Sequence, residues 1–431
     1  MASWIEIKED SDFSLRNLPY GVFSTDGPKP PRIGIAIGDH VLDMSVLAAD
    51  GVFDDIGFDV KTITGETTLN SYAAQGKDVH SKVRKRLQDL LEKETKLGSL
   101  LRDNQGRRAR ALVPMNSVKM HLPMAIGDYT DFFIGLHHAV ICADVIKPGA
   151  KIEQLCPCFY NLPVAYNGRA SSVVVSGTPF HRPRGQVPVE NGQIVSGPCR
   201  KLDFEVEFAC FIGKGNAFGQ EIKVDQAEEH IFGFVLMNDW SARDIQFYEA
   251  PMMGPFNGKS FCTSVSPWVV PLDALEPFRT LPSETPMKRL LADYLTGKKT
   301  KSAYNIPIKA TLEANSERYD IATCNTNNVI FSFPQMLAHH TRGGCPLRPG
   351  DLVATGTLSG PTKAESGCFF EQTRGGKEPY ELKALKMGKG SVQRGFLEDN
   401  DTVEFRAQVS LGDGLGNVGF GVCGGKVLPA L

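Results

Sequence analysis

The chain has 431 residues, is 42% apolar and 22% charged, and carries a formal net charge of −2. That balance leaves no electrostatic footprint for nucleic acid or an anionic membrane, and no apolar run reaches membrane-spanning length. The length exceeds one ordinary core, so two domains are expected. The first ten residues are acidic and carry no leader pattern, and ten cysteines are scattered through the chain. Cys156 and Cys158, the close pair, lack zinc-knuckle spacing. These features predict a cytoplasmic protein with reduced, mostly buried thiols.

Residues 1–120 read as a small β-rich domain. Ile33–Ile37 and Val41–Asp43 flank a Gly38-Asp39 turn and predict a hairpin. Asp78 to Lys96 predicts a helix with Val79, Val83, Leu87, Leu90 and Leu91 as its apolar stripe, stopped by Gly98. Nothing here carries chemistry, so scaffold or interface is the expected role. Residues 121–431 are rich in short strand-like runs: 172–176, 202–208, 231–237, 268–270, 352–355 and 403–406. No β-α alternation supports a doubly wound sheet. A mainly β fold with some α (α+β) is predicted, with a polar surface excursion at 281–301.

In chain order, Gly127-Asp128-Tyr129-Thr130-Asp131-Phe132 comes first, followed by His137-His138. Leu202 to Phe208 then alternates apolar and acidic residues, so a strand would place Asp203, Glu205 and Glu207 on one face. Taken alone, this fits a half-buried strand with one solvated face. Asp239 ends the apolar run 231–237 and could also cap a helix starting at Trp240. Together Asp131, Glu205, Glu207 and Asp239 would form an oxygen cage suited to Mg²⁺ or Ca²⁺ rather than zinc. His138 is the candidate general base, because imidazole titrates near neutrality. His339-His340 reads as a structural pair on a helix. Gly258-Lys259-Ser260 is no P-loop, and Gly213, Gly215 and Gly219 make a turn, not a dinucleotide fingerprint. No Gly-x-Ser-x-Gly elbow or nucleophilic cysteine motif is present, which leaves metal-assisted attack by water.

Gly127–Phe132, Tyr166–Ser172, Leu202–Glu207, Met237–Gln246, Gly258–Phe261 and Leu347–Asp351 closely resemble the fumarylacetoacetase family, from Leu18 almost to the last residue. The resemblance implies a small SH3-like N-terminal β-barrel, a C-terminal mixed β-sandwich roll and a homodimer. The activity implied is hydrolysis of a carbon–carbon bond in 4-fumarylacetoacetate, the last step of tyrosine and phenylalanine breakdown. Carried over by motif, Asp131, Glu205, Glu207 and Asp239 would hold Mg²⁺ or Ca²⁺, with Lys259 and Thr263 beside them. His138 would be the base, oriented by Glu371, and Arg243, Gln246 and Lys259 would form the oxyanion site. Tyr166, Gln246 and Thr357 would contact substrate.

Three positions depart from the family pattern: Phe133 and Ala250 stand where Tyr is usual, and Lys147 where Arg is usual. All three are substrate-contacting positions in the resemblance. Lys147 keeps the charge but loses the bidentate fork. Retained chemistry with altered substrate recognition is therefore expected. An acylpyruvase-like diketo-acid hydrolase, a decarboxylase or a non-catalytic metal-binding member are the alternatives.

Overall fold

The computed structural model describes residues 2–189, 192–286, 288–385, 390–412 and 414–431. Its centre is an eight-stranded mixed sheet. In order it runs Ala165–Asn167, Tyr129–Phe132, Leu352–Ala354, Val206–Ile212, Ile231–Asp239, Thr263–Val265 and Val173–Val175, with Val270–Pro271 paired to Ile231–Asp239 off that path. Tyr129–Phe132 runs parallel to Leu352–Ala354 and Thr263–Val265 parallel to Val173–Val175; the other pairings are antiparallel. The two central runs, Val206–Ile212 and Ile231–Asp239, are rich in β-branched and aromatic residues and buried end to end, as expected of strands covered on both faces.

Alternation along the strands sorts the two faces. Phe208 and Phe234 stack with ring centroids 5.1 Å apart and meet Phe333 and, from Asn417–Leu428, Phe420. That face packs on a five-stranded sheet of Glu317–Asn325, Pro307–Ala314, Thr402–Ser410, Asn417–Leu428 and Phe180–His181. The opposite face carries Ala209, Phe211, Val235 and Met237, which share a core with Ile35, Leu47, Tyr72 and Leu87 from the N-terminal region. There a five-stranded sheet is built on Tyr20–Thr25, Arg32–Ile37 and His40–Asp43. Its hairpin turns at Gly38, whose φ of +53° is easily reached by glycine. The helix Lys77–Leu91 buries Val83, Leu87, Leu90 and Leu91; it ends five residues earlier than predicted, with Glu92 extended.

The acidic run departs most from expectation. It is two strands, Leu202–Asp203 and Val206–Ile212, separated by Phe204 and Glu205, and all its carboxylates are buried. No face is solvated. The helix after Asp239 starts at Arg243 with Ala242 in the cap position, so Asp239 caps nothing. The segment 281–301 is polar, but it buries Leu295 completely. His339 and His340 do lie on a helix, where they meet the Tyr294 hydroxyl and the Thr130 hydroxyl, both at 2.8 Å.

Candidate active site

Register explains why distant residues meet. Asp131 pairs with Tyr166 on one neighbouring strand and with Ala354 on the other. Ala354 in turn pairs with Ala209, and Glu207 precedes Ala209 by two residues on the same face. Met237 lies opposite Glu207, and Asp239 follows Met237 by two, opposite Thr263. Asp131, Glu207 and Asp239 therefore project from the face that the N-terminal region covers elsewhere. One oxygen from each lies within 4.8 Å of the others.

Two of these three carboxyls are short of partners. Asp131 Oδ1 and both oxygens of Glu207 are buried without a hydrogen bond. Burial first, then the neighbouring carboxylates, pushes Asp131 and Glu207 well above the usual carboxylate range. Asp239 is raised by burial but opposed by Lys259, and it accepts from the Tyr166 hydroxyl at 2.9 Å and from Thr263 at 3.2 Å. An all-oxygen, anionic and unsatisfied donor set fits a hard divalent cation.

Glu205 faces other partners. Arg243 Nη1 reaches its Oε1 at 2.7 Å, and Lys259 donates to its Oε2 and to Asp239 Oδ2. Against burial, Lys259 and Arg243 hold Glu205 far below its usual value. Arg243 Nε also donates to Asp203 at 3.0 Å, while Nη1 reaches Gln246 Oε1 at 3.3 Å and Nη2 has no partner. Asp203 further accepts the backbone N–H groups of Phe369 and Phe370, at 2.8 and 2.9 Å.

His138 sits in the first turn of the helix Leu136–Ile146, with Nδ1 3.2 Å from Glu371 Oε1 and Nε2 4.0 Å from Glu205 Oε1. Glycine permits this placement. A Cβ on Gly135 would lie 2.1 Å from the Thr357 carbonyl oxygen, so the helix start and the Thr357 loop touch through backbone. Gly356, at φ +75°, approaches the Phe132 carbonyl as closely. Burial opposes charge on both members of the His138–Glu371 pair. Cys142 and Glu371 nevertheless raise His138, and His138, Ser359 and Cys368 lower Glu371.

A cleft of about 370 Å³ opens onto this arrangement, lined by Asp131, Glu207, His138, Arg243, Gln246 and Lys259 with Phe133, Ile146, Val164, Phe247 and Thr357. The Phe133 ring lies edge-on to His138 at 5.4 Å, and the Thr357 hydroxyl is buried without a partner. Lys147 is exposed just beyond Ile146, and Ala250 lies at the end of the helix Arg243–Glu249; neither lines the cleft. Sequence reasoning missed Cys142, Cys368, Ser359, Asp203 and the apolar wall of Ile146, Val164 and Phe247. For the two cysteines a signal existed: Cys142 is four residues after His138 and Cys368 three before Glu371, spacings that share a helix face.

The fumarylacetoacetate hydrolase C-terminal family pattern matches residues 153–423, and the fumarylacetoacetase N-terminal pattern matches residues 16–123. The chain belongs to the fumarylacetoacetase family. Among its relatives, the fumarylacetoacetase of Emericella nidulans is 46% identical over 100% of this chain and 99% of its own length. Those of Arabidopsis thaliana and Homo sapiens are 44% and 43% identical, each over 100% of this chain and 99% of theirs. Among solved structures, the fumarylacetoacetate hydrolase from psychrophilic Exiguobacterium antarcticum matches at a TM-score of 0.50 and 17% identity, over 96% of this chain and 99% of that one. That likeness concerns the fold alone. Among the described residues no helix is long and apolar enough to cross a membrane.

Proposed function

We propose that this chain hydrolyses the carbon–carbon bond of 4-fumarylacetoacetate to fumarate and acetoacetate, the last step of tyrosine and phenylalanine breakdown. One observation carries the reading. In a chain of this family, Asp131, Glu207 and Asp239 bring buried carboxyl oxygens within 4.8 Å of one another, Asp131 and Glu207 keep oxygens without a partner, and those two line the same cleft as an imidazole backed by a carboxylate. Asp131, Glu207 and Asp239 would hold Mg²⁺ or Ca²⁺, with Glu205 beside them and Thr263 and Lys259 fixing their orientation. A cation held there would supply positive charge to polarise a carbonyl of a 1,3-diketone substrate.

The chain's own residues do the rest. Glu371 faces Nδ1 of His138, which leaves Nε2 as the proton acceptor, and it stabilises the imidazolium formed when His138 takes a proton from water. Attack on the fumaryl-side carbonyl builds an oxyanion. Arg243, whose Nη2 lacks a partner, stabilises it together with Gln246 and Lys259. Collapse of the tetrahedral centre breaks the C–C bond, the electron pair leaves with the acetoacetate enolate, and protonation completes release. Tyr166 and Thr357 would position the substrate. Phe133 replaces a hydroxyl with an apolar edge beside His138, which favours a second reading: the same machinery acting on a related acylpyruvate. A cytoplasmic homodimer belongs to the main reading, with exposed Met252, Met253 and Phe256 offering apolar surface beside the cleft residues Gly254 and Pro255.

The test follows loss of the diketone absorbance with purified protein, with EDTA, and with Mg²⁺ restored. Metal-dependent cleavage is expected, and His138→Asn lowers turnover about 10²- to 10⁴-fold with folding preserved. Cleavage that survives EDTA and this substitution would discard the reading. Turnover of acylpyruvates in place of fumarylacetoacetate would select the second one.

A further inference from the structure

Around His138 lies a second group of metal-type donors, which joins the imidazole and carboxylate of the hydrolytic reading to a thiol that this reading leaves unused. One donor atom each from His138, Cys368 and Glu371 lies within 4.8 Å of the others, and all three residues are buried. Glu371 Oε1 is 3.2 Å from His138 Nδ1, yet it lacks a hydrogen bond of acceptable angle and counts among the buried unpartnered oxygens. Cys368 Sγ is 3.2 Å from Glu371 Oε2. Cys142 Sγ lies 3.6 Å from His138 Nε2, on the same helix.

The separations have a meaning. Tetrahedral zinc, with bonds of about 2.0–2.3 Å, sets its ligands roughly 3.3–3.8 Å apart. Through one imidazole nitrogen, Nδ1, His138 stands 3.2 Å from Glu371 Oε1 and 3.7 Å from Cys142 Sγ, and Cys368 Sγ stands 3.2 Å from the other Glu371 oxygen. The donor types differ from the first site, where Asp131, Glu207 and Asp239 offer only oxygen. A thiolate–imidazole–carboxylate set favours a softer ion than Mg²⁺ or Ca²⁺. Burial, together with Glu371 and Asp203, holds the Cys368 thiol well above its usual range, with Arg243 opposing them. His138 and Cys142 line the cleft, which gives an ion a way in.

We propose that His138, Cys368 and Glu371 form a second, thiol-containing site for a soft divalent cation of the Zn²⁺ class, with Cys142 packed beside the imidazole. Binding replaces the thiol proton of Cys368 with the metal and releases that proton to solvent; no electrons move. It also occupies the imidazole and the carboxylate that the hydrolytic reading assigns to water activation. Zn²⁺ is then an inhibitor acting while the oxygen cage stays filled. That inhibitory consequence rests on the proposed function, whereas the site itself does not.

The experiment titrates the Mg²⁺-saturated full-length protein with Cd²⁺, following the ultraviolet thiolate-to-cadmium charge-transfer band and turnover together. One Cd²⁺ per chain is expected, displaced by Zn²⁺ and not by a large excess of Mg²⁺ or Ca²⁺. The part-buried Cys156 and Cys158, with sulfurs 3.7 Å apart, are the competing thiols, so the band must survive Cys156→Ser. Cys368→Ser should weaken Cd²⁺ binding at least about 10- to 100-fold, the loss seen when even a supporting partner of a metal ligand is removed. Cys142→Ser should weaken it less. No band, a band displaced by Mg²⁺, or a band unchanged in Cys368→Ser overturns the site. The Mg²⁺ competition needs no variant, so it decides even if a substitution impairs folding. A Cys368-dependent band with turnover retained leaves the site standing and removes His138 as the base.

Discussion

Glu205 and Glu207 are two residues apart and both buried, yet their surroundings treat them oppositely. Glu205 meets Arg243 and Lys259 and stays ionised far below its usual range. Glu207 meets Asp131 and Asp239, has no hydrogen bond and is pushed well up. A buried charge persists only when its compensation is close at hand. The protein supplies that compensation to Glu205 and leaves Glu207 to be completed from outside. The difference separates a built-in ion cluster from a binding site better than a count of acidic residues could.

The largest effect expected is on the compensated side. Glu205→Gln leaves Arg243 and Lys259 short of a counter-charge and should cost on the order of 3–5 kcal/mol, read as a fall in Tm or in the denaturation midpoint. A neutral result would mean the cluster relaxes through Asp203 and Asp239. On the uncompensated side the sign reverses. Glu207→Gln removes like-charge repulsion, so the metal-free protein should melt higher than the unmodified one. It should also lose the metal-dependent stabilisation, about 2.7 kcal/mol when free Mg²⁺ is a hundredfold above Kd. An intact Mg²⁺-dependent Tm shift in this variant would exclude Glu207 as a ligand.

Smaller effects test recognition. Phe133→Tyr adds a hydroxyl at the cleft wall and should lower KM for fumarylacetoacetate by up to about tenfold, the reach of one hydrogen bond. Lys147 is exposed outside the cleft, so Lys147→Arg should change KM less. The reverse ranking would mean that the chain end of the Leu136–Ile146 helix folds over the substrate.

The smallest effect concerns a half-buried titratable group, where burial outweighs the pull of Asp273. His80 donates from Nε2 to the Tyr72 carbonyl at 3.0 Å and lies against the rings of Tyr72 and Phe232, where burial lowers its pKa. The unfolded chain binds the proton more readily, near pH 6.5. Stability from the neutral ring is therefore complete above about pH 6.5 and declines as pH falls below it. Denaturant midpoints measured from pH 8 to 5 should show this slope, reduced in His80→Asn.

Much of this was legible because strand register is strict. Asp239 ends the apolar run 231–237, and a run buried on both faces must pair in the centre of a sheet. The break at Phe204-Glu205 was not legible. Perfect alternation hides it, since what ends the first strand is Asp203 turning toward the backbone of Phe369 and Phe370, over 160 positions away. The burial of the acidic face was misread for the same reason: its cover comes from the N-terminal core and from cations on other segments. Gly135 and Gly356 gave a visible signal, but which carbonyl each approaches depends on tertiary contact alone.

Asp203 gathers the amides that start the Glu371 helix and the guanidinium of Arg243. It acts as a bracket: the span between proton acceptor and cations is set by one side chain, and neither arm can drift without the other. Adaptation to a longer, shorter or bulkier substrate is then channelled to the opposite wall. Phe133, Ile146 and Val164 hang free of that bracket, and there a lineage can alter diet without retuning the chemistry.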